Sequence, residues 1–243
     1  MNSEEQAQVL LKKSARKASP GGKAKLLNIP RNWLHQAFFY MDKGERFVRV
    51  FVLLLETILV YLLASFVFST VNITLLLTIA FLFVYTWNWA TNGLFWALII
   101  FTFPKLKNPG AEKTVHYLNQ MRIRLAKDDC ITGIAIYGSV TREKWHSRSD
   151  IDIRFLRKQG FLYTILASWV TMKERFRAFL SKQPMDLFLA DNTDFLKKMR
   201  SDEIPLLLLC QDKNLQTMYP NCKERSITIR DLLGKQANVS ILD

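Results

Sequence analysis

The stretch Ile73–Phe103 contains no Asp, Glu, Lys or Arg, and this constrains the fold more than any other feature of the chain. A helix needs about 20 apolar residues to cross a bilayer, so the run is long enough. The preceding segment Val50–Val71 has one charge, Glu56, and the uncharged turn Thr70–Asn72 joins the two. We therefore predict a two-helix transmembrane hairpin over residues 47–103. A pair of soluble core helices is the alternative, but helices without a polar face must be buried all round.

Lys and Arg residues lie on both sides of this hydrophobic region and are absent from its connecting turn. Basic flanks face the cytoplasm in most membrane proteins. We therefore predict two spans in a cytoplasmic or inner membrane, with both termini cytoplasmic. The chain has a net charge of +13. Anionic lipid headgroups and nucleic acid both explain such a charge. We favour membrane lipids as the partner, because the charge flanks the hairpin, and we do not expect nucleic acid.

Composition divides the chain into four parts. Residues 1–46 are polar and basic and then aromatic, which is typical of a mobile arm followed by an interfacial helix. Residues 47–103 are the hairpin. Residues 104–110, with their prolines and a glycine, are a linker. Residues 111–243 are predicted to form an α/β (α+β) domain with a mixed sheet flanked by helices.

Hydrophobic periodicity within this last part predicts alternating helices and strands. The expected helices cover 111–128, 161–181 and a segment near 195–200; the expected strands cover 131–137, 149–153, 184–189 and 206–210.

The residues that indicate chemistry begin where the first of these strands ends, at Gly138 and Ser139. Asp150 and Asp152 follow on the next predicted strand. Alternate residues of a strand point the same way, so the two carboxylates are expected side by side. Mg²⁺ relieves their repulsion and prefers carboxylate and phosphate oxygens. Glycine lets a backbone approach a ligand, and turn amides with a serine hydroxyl can hold a triphosphate. The pattern predicts metal-dependent phosphoryl or nucleotidyl transfer.

A third carboxylate, Asp186, lies on the strand predicted after the 161–181 helix. A strand–helix–strand unit can place this strand beside the one that carries Asp150 and Asp152. Asp186 would then bridge a metal ion or help to deprotonate an acceptor hydroxyl.

Together these residues resemble the polymerase-β-type nucleotidyltransferase superfamily, and most of all its minimal members. The resemblance rests on Gly138-Ser139, a spacer containing Arg142, the run Ser149–Asp152, and the downstream Asp186. It covers about residues 111–220. The spacer is longer and bulkier than is usual in small members of the superfamily.

The resemblance implies a nucleotidyltransferase fold and a set of site residues. It implies two bound Mg²⁺ ions, for which Mn²⁺ can substitute, and a nucleoside triphosphate such as ATP as donor. The implied nucleotide-binding residues are Gly138, Ser139, Arg142 and Ser149. The implied catalytic and metal-ligating residues are Asp150, Asp152 and Asp186.

The predicted function is that of a membrane-anchored nucleotidyltransferase. It would move a nucleoside monophosphate to a hydroxyl or phosphate acceptor at the cytoplasmic face of the membrane. A lipid-linked glycan, a lipid headgroup and a membrane protein all remain open as acceptors. A protein-AMPylating enzyme of toxin–antitoxin type, an inactive nucleotide-binding membrane scaffold and a nucleic-acid-modifying enzyme are the alternatives.

Polar residues inside the hairpin are expected to form hydrogen bonds between its two helices. Glu56 is costly in a membrane unless it is paired, protonated or near the surface. A contact with Asn88, with Asn92 or with a polar lipid would provide such a partner for Glu56. The same asparagines and Thr91 can also bond between protomers of a homo-oligomer.

Overall fold

The computed structural model describes residues 28–35, 41, 43–91, 94–103, 105–193, 204–220 and 225–233. Most of the basic arm, the helix expected near 195–200 and Asn92 lie outside the described residues. The described elements are, in chain order, α1 (Asn28–His35), α2 (Lys43–Val67), α3 (Ile73–Ala90), α4 (Leu94–Thr102), α5 (Ala111–Leu125), β1 (Ile131–Tyr137), β2 (Ile151–Arg157), α6 (Phe161–Leu180), β3 (Met185–Ala190), β4 (Leu206–Cys210), α7 (Lys213–Met218) and α8 (Ile229–Leu233).

The four strands form one mixed sheet in the order β3-β2-β1-β4. β1 is antiparallel to both β2 and β4, whereas β2 and β3 are parallel and are connected through α6. The isoleucines of β1 suit a central strand that is buried on both faces. The prediction of an α+β domain with a mixed sheet and flanking helices is confirmed.

The two faces of the sheet have different surroundings. One face packs under α5, α6 and α8 in the main core, whose buried side chains include Phe155 of the sheet and Leu118 of α5. Strand alternation turns Leu156 to the opposite face, where it packs with Leu215 of α7 in a smaller cluster. Asp152 lies on this second face, which is the less fully covered one.

Helices α2 and α3 pack together as a hairpin, and each is long and apolar enough to cross a membrane. Their large side chains point outward; Phe66, for example, is 87% exposed. The expected contact inside the hairpin is present, since Asn88 Nδ2 donates a hydrogen bond to Glu56 at 2.6 Å.

The hairpin is joined to the sheet by a buried ionic contact at the edge strand β3. Glu45 of α2 accepts a hydrogen bond from the Leu189 N–H at 3.1 Å and pairs with Arg175 of α6 at 2.5 Å. Arg175 in turn donates to the Leu187 carbonyl at 3.0 and 2.6 Å. These two side chains satisfy backbone groups that an edge strand would otherwise leave unpaired.

The charge-free run is divided between two helices. α3 ends at Ala90, and the separate α4 packs on the end of α6 instead of continuing in line. Trp96 donates a hydrogen bond to the Phe179 carbonyl at 2.8 Å, and the rings of Phe95 and Phe179 meet edge to face at 5.8 Å. The last part of the run therefore contacts the α/β domain.

Candidate functional site

The predicted carboxylates meet where three neighbouring strands come together. In the β2–β3 register, Asp152 lies directly beside Asp186. In the β1–β2 register, Asp152 lies opposite Tyr137, the last residue of β1. The strand–helix–strand unit therefore brings two carboxylates side by side, as the sequence predicts.

Gly138 is required at this place by the position of the Asp152 side chain. Its φ is +79°, a conformation that other residues rarely adopt. A Cβ atom added to Gly138 would overlap the Asp152 carboxylate and lie 2.9 Å from its Cγ. The turn after β1 and the carboxylate of β2 are in direct contact.

Asp186 is a desolvated acid. Burial raises its pKa to about 6, and the nearby charge of Asp150 acts in the same direction, whereas Arg154 and Arg175 oppose the shift. Asp186 shares a side-chain hydrogen bond with Asp152. Its Oδ1 atom is buried and has no hydrogen-bond partner. This carboxylate oxygen is therefore buried without a hydrogen bond from the protein.

Asp150 immediately precedes β2, so it lies just outside the strand on which it was predicted. Burial raises the pKa of its carboxyl, and a hydrogen bond to its own backbone opposes the rise. Its carbonyl accepts a hydrogen bond from Ser139 Oγ at 3.3 Å. Ser139 is therefore close to the carboxylates, and its hydroxyl ties the two ends of the intervening loop together.

The loop between Ser139 and Asp150 is fixed from inside the domain. Trp145, the bulkiest residue of the spacer, is 3% exposed and belongs to the main core. Ser149 is buried, and its hydroxyl accepts a hydrogen bond from the His146 N–H at 3.1 Å. Arg142 is half-buried in the turn. No contact described here tests the predicted nucleotide-binding roles of Ser149 and Arg142, which stay predictions.

A second set of bonds ties this loop to the segment between α4 and α5 and to α4 itself. The Asn108 side chain donates to the carbonyls of His146 and Ser149 at 3.0 and 3.3 Å. Arg148 donates to the carbonyls of Ile100 and Phe101 at 3.1 and 2.9 Å, which lie at the C-terminal end of α4. A guanidinium is favourable there because a helix C-terminus carries partial negative charge. The carboxylate site is thus positioned partly by the helix that follows the hairpin.

Arg154 belongs to the site, although the sequence analysis did not single it out. Its guanidinium lies 4.9 Å from the ring centre of Tyr137 and 4.6 Å from that of Phe188. It also donates to the Asp186 carbonyl at 3.4 Å. The signal was present in the sequence, because Arg154 follows Asp152 by two residues and must share its face of the strand.

The residues present fit a magnesium ion. Within the described ranges, no three Asp, Glu, His or Cys side chains form a complete metal-ligand group. Mg²⁺ in proteins commonly takes only one or two carboxylates and completes its coordination with substrate phosphates and water. The adjacent Asp152 and Asp186, with the unsatisfied oxygen of Asp186, could supply two carboxylates to such an ion, and Asp150 lies nearby.

Two cavities lie elsewhere in the described part of the chain. One, of about 220 Å³, lies between the hairpin and α6. The other, of about 580 Å³, lies between α5 and the end of α6. None of the predicted site residues lines either of them. Asp150, Asp152 and Asp186 are themselves partly buried.

Comparison with known proteins does not identify a family. No protein-family model matches the chain, and no curated protein matches it.

Proposed function

We propose that this chain is a membrane-anchored nucleotidyltransferase of the polymerase-β type. The observation that carries the proposal is the side-by-side placement of Asp152 and Asp186 against the Gly138 turn. Adjacent, desolvated carboxylates beside a glycine turn are what metal-dependent transfer from a triphosphate requires. Gly138 and Ser139 would receive the triphosphate, with Arg142 and Ser149 in the same loop.

The transfer joins an acceptor oxygen to the α-phosphorus of a nucleoside triphosphate. The bond from that phosphorus to the bridging oxygen breaks, and pyrophosphate leaves. Asp150, Asp152 and Asp186 would hold Mg²⁺, which neutralises charge on the phosphates and aligns the attacking and leaving oxygens.

The chain's own groups then position the reactants and move the proton. Asp186 would either hold the metal or receive the proton of an acceptor hydroxyl; its raised pKa of about 6, which suits the second role, is that of the metal-free protein. Arg154, held over two aromatic rings, adds fixed positive charge on the same face of the sheet.

The acceptor is proposed to be a molecule of the membrane. The domain contacts the hairpin and the helix that follows it: Glu45 of α2 contacts the edge of β3, and Arg148 contacts the end of α4. Both attachments lie in the parts of the domain that build the site, so the site is held at a fixed position relative to the anchor. A lipid-linked glycan, a lipid headgroup or a membrane protein at the cytoplasmic face is therefore the expected acceptor.

Transfer of label tests this proposal. Purified protein in nanodiscs is incubated with Mg²⁺ and each of the four nucleoside triphosphates labelled at the α-phosphorus. Label is followed into lipid, protein and added polysaccharide. Asp152→Asn is compared with Asp129→Asn, which removes the same charge from an exposed turn of the same domain.

We expect label in one fraction, which would also identify the acceptor class. Loss of metal coordination costs several kcal/mol, so transfer by Asp152→Asn should fall about 10³-fold. Asp129→Asn should behave as the wild type. Nucleotide binding without transfer, equal in all three proteins, would contradict an enzymatic role and favour the inactive scaffold.

A further inference from the structure

Helix α6 shows its apolar side to the outside and its polar side to the sheet. The residues buried against the domain are small or polar: Thr164, Ala167, Ser168, Thr171, Glu174, Arg175 and Ala178. The exposed side carries large apolar residues: Phe161, Leu162, Ile165, Leu166, Trp169, Phe176 and Leu180. We call this exposed set the α6 stripe. A helix on the surface of a water-soluble domain has the reverse arrangement.

The polar residues on the inner side of α6 are held by specific partners. Glu174 is 0% exposed and forms two hydrogen bonds with Arg124, at 3.0 and 2.7 Å. Arg175 pairs with Glu45. These contacts fix the rotation of α6, so the α6 stripe must face away from the sheet. A contiguous apolar surface of this kind marks a binding surface for protein or membrane.

The α6 stripe is continuous with the outer surface of the hairpin. The ring of Phe176 lies 6.3 Å from that of Trp87 on α3. α2 contacts α6, and Phe47 and Phe51 of α2 are more than half exposed. The hairpin and the α6 stripe therefore offer one apolar surface to a single environment.

Cations border this surface at the positions expected beside a layer of headgroups. Lys173 lies 5.8 Å from the ring centre of Trp169, and Lys158 lies 5.5 Å from that of Tyr163. Aromatic rings and long basic side chains are favoured where lipid tails meet headgroups. The net charge of +13 further favours an anionic surface.

We propose that the α6 stripe lies in the cytoplasmic leaflet of the membrane that holds the hairpin. The inference rests on the membrane anchorage in the proposed function and does not depend on nucleotidyl transfer. It makes α6 an in-plane membrane contact and places the α/β domain directly on the lipid surface.

This position determines how deep the hairpin reaches. Glu56 of α2 lines the same cavity as Trp169 and Lys173 of α6, so it lies beside the middle of α6. The part of α2 beyond Glu56, up to Val67, extends about 17 Å at 1.5 Å per residue. The hydrocarbon core is about 30 Å thick. With α6 at the interface and α2 entering the bilayer from the level of Glu56, the proposal places the hairpin tip near the middle of the bilayer.

The tip of the hairpin is built for an apolar environment. The turn has no charged residue, and the Val71 N–H donates to the Phe68 carbonyl at 3.1 Å. The Asn72 side chain accepts from the N–H groups of Thr74 and Leu75. Backbone groups inside a bilayer must be satisfied internally in this way.

Spin labels on the full chain in nanodiscs test the proposal. Single cysteines replace Leu166 in the α6 stripe, Thr70 at the hairpin tip and Asp129 on the domain, in a background with the native cysteines changed to serine. Accessibility to oxygen, which enters lipid, is compared with accessibility to a water-soluble nickel chelate. The melting temperature of each variant checks that it is folded.

We expect high oxygen and low nickel accessibility at both Leu166 and Thr70, with Thr70 the deeper, and the opposite at Asp129. A water-exposed Leu166 would overturn the proposal, as would nickel access to Thr70 from the far side, which indicates two full spans. Protection of Leu166 from both reagents would mean that protein covers it and would also overturn the proposal. Water exposure of Leu166 and Thr70 together would reject the anchorage itself, whatever the transfer assay gives.

Discussion

Two carboxylates close to the edge strand β3 have opposite surroundings. Glu45 is buried, but Arg175 and the Leu189 N–H compensate it. Asp186 is also desolvated, yet its Oδ1 has no hydrogen-bond partner and its pKa is raised to about 6. Arg175 neutralises Glu45 and so ties the structure together, whereas one oxygen of Asp186 has no hydrogen-bond partner in the protein, which favours an external ligand there. The difference separates the joint between hairpin and domain from the proposed metal site.

The largest effect on stability is expected at Glu45, the carboxylate that Arg175 neutralises. Arg175→Met should remove the cation that pairs directly with the buried Glu45, together with two hydrogen bonds to the Leu187 carbonyl. Breaking a buried pair from one side costs about 3–5 kcal/mol. In a chain of this size the melting temperature in detergent should fall by roughly 10 °C.

Arg225→Met is the matched control, because it breaks the exposed pair of Arg225 with Asp231. Such a pair contributes about 0.2–1 kcal/mol. Equal melting temperatures for Arg225→Met and Arg175→Met would show that the buried joint has no structural role.

The next effect concerns the turn that touches Asp152. Gly138→Ala should strain the backbone and push the Asp152 carboxylate out of place. Misplacement by about 1 Å can cost 10²-fold in rate, so label transfer should fall by about that factor. Gly110→Ala is the control. Gly110 also has a positive φ, so the substitution strains the backbone in the same way, but its added Cβ has nothing within 4 Å to displace. Equal transfer by the two variants would contradict the contact with Asp152.

The smallest effect is on stability, and it depends on pH. The pKa of Asp186 is about 6 in the folded protein and about 3.9 when unfolded, so its ionisation penalises the metal-free fold above pH 6. Stability from this group is complete below about pH 4 and is lost as the pH rises through 6. Asp186→Asn should therefore be more stable than the wild type by about 1–2 kcal/mol at pH 7.5 without metal. The difference should vanish near pH 4, as melting curves at the two pH values would show. A variant less stable at pH 7.5 would mean that ionised Asp186 supports the fold.

The pairing of Asp152 with Asp186 could be predicted from the sequence. Both lie in short apolar runs separated by one helix, and such units place parallel strands beside each other. The apolar run before Gly138 likewise predicted the third strand of the site. Local sequence patterns were sufficient because the strands and the helix each show the hydrophobic pattern typical of their secondary structure.

Other features could not be predicted, because they depend on contacts distant in sequence. Glu45 and Leu189 are 144 positions apart, and neither belongs to a local pattern that indicates the contact. For α6, periodicity identified an apolar stripe but could not tell whether the sheet or the surroundings would cover it. The sequence around Trp145 is polar, so the burial of this side chain in the core could not be predicted either.

The most direct test of the metal site measures Mn²⁺ binding by the electron paramagnetic resonance signal of the free ion. Wild type, Asp152→Asn and the control Asp129→Asn are titrated in nanodiscs with a non-hydrolysable nucleoside triphosphate. Even changes outside the ligand shell cost about 10-fold or more in metal affinity, so Asp152→Asn should lose at least about 10-fold. Asp129→Asn should match the wild type. Equal Mn²⁺ affinity in all three proteins would contradict the assignment of Asp152 and Asp186 as the metal site.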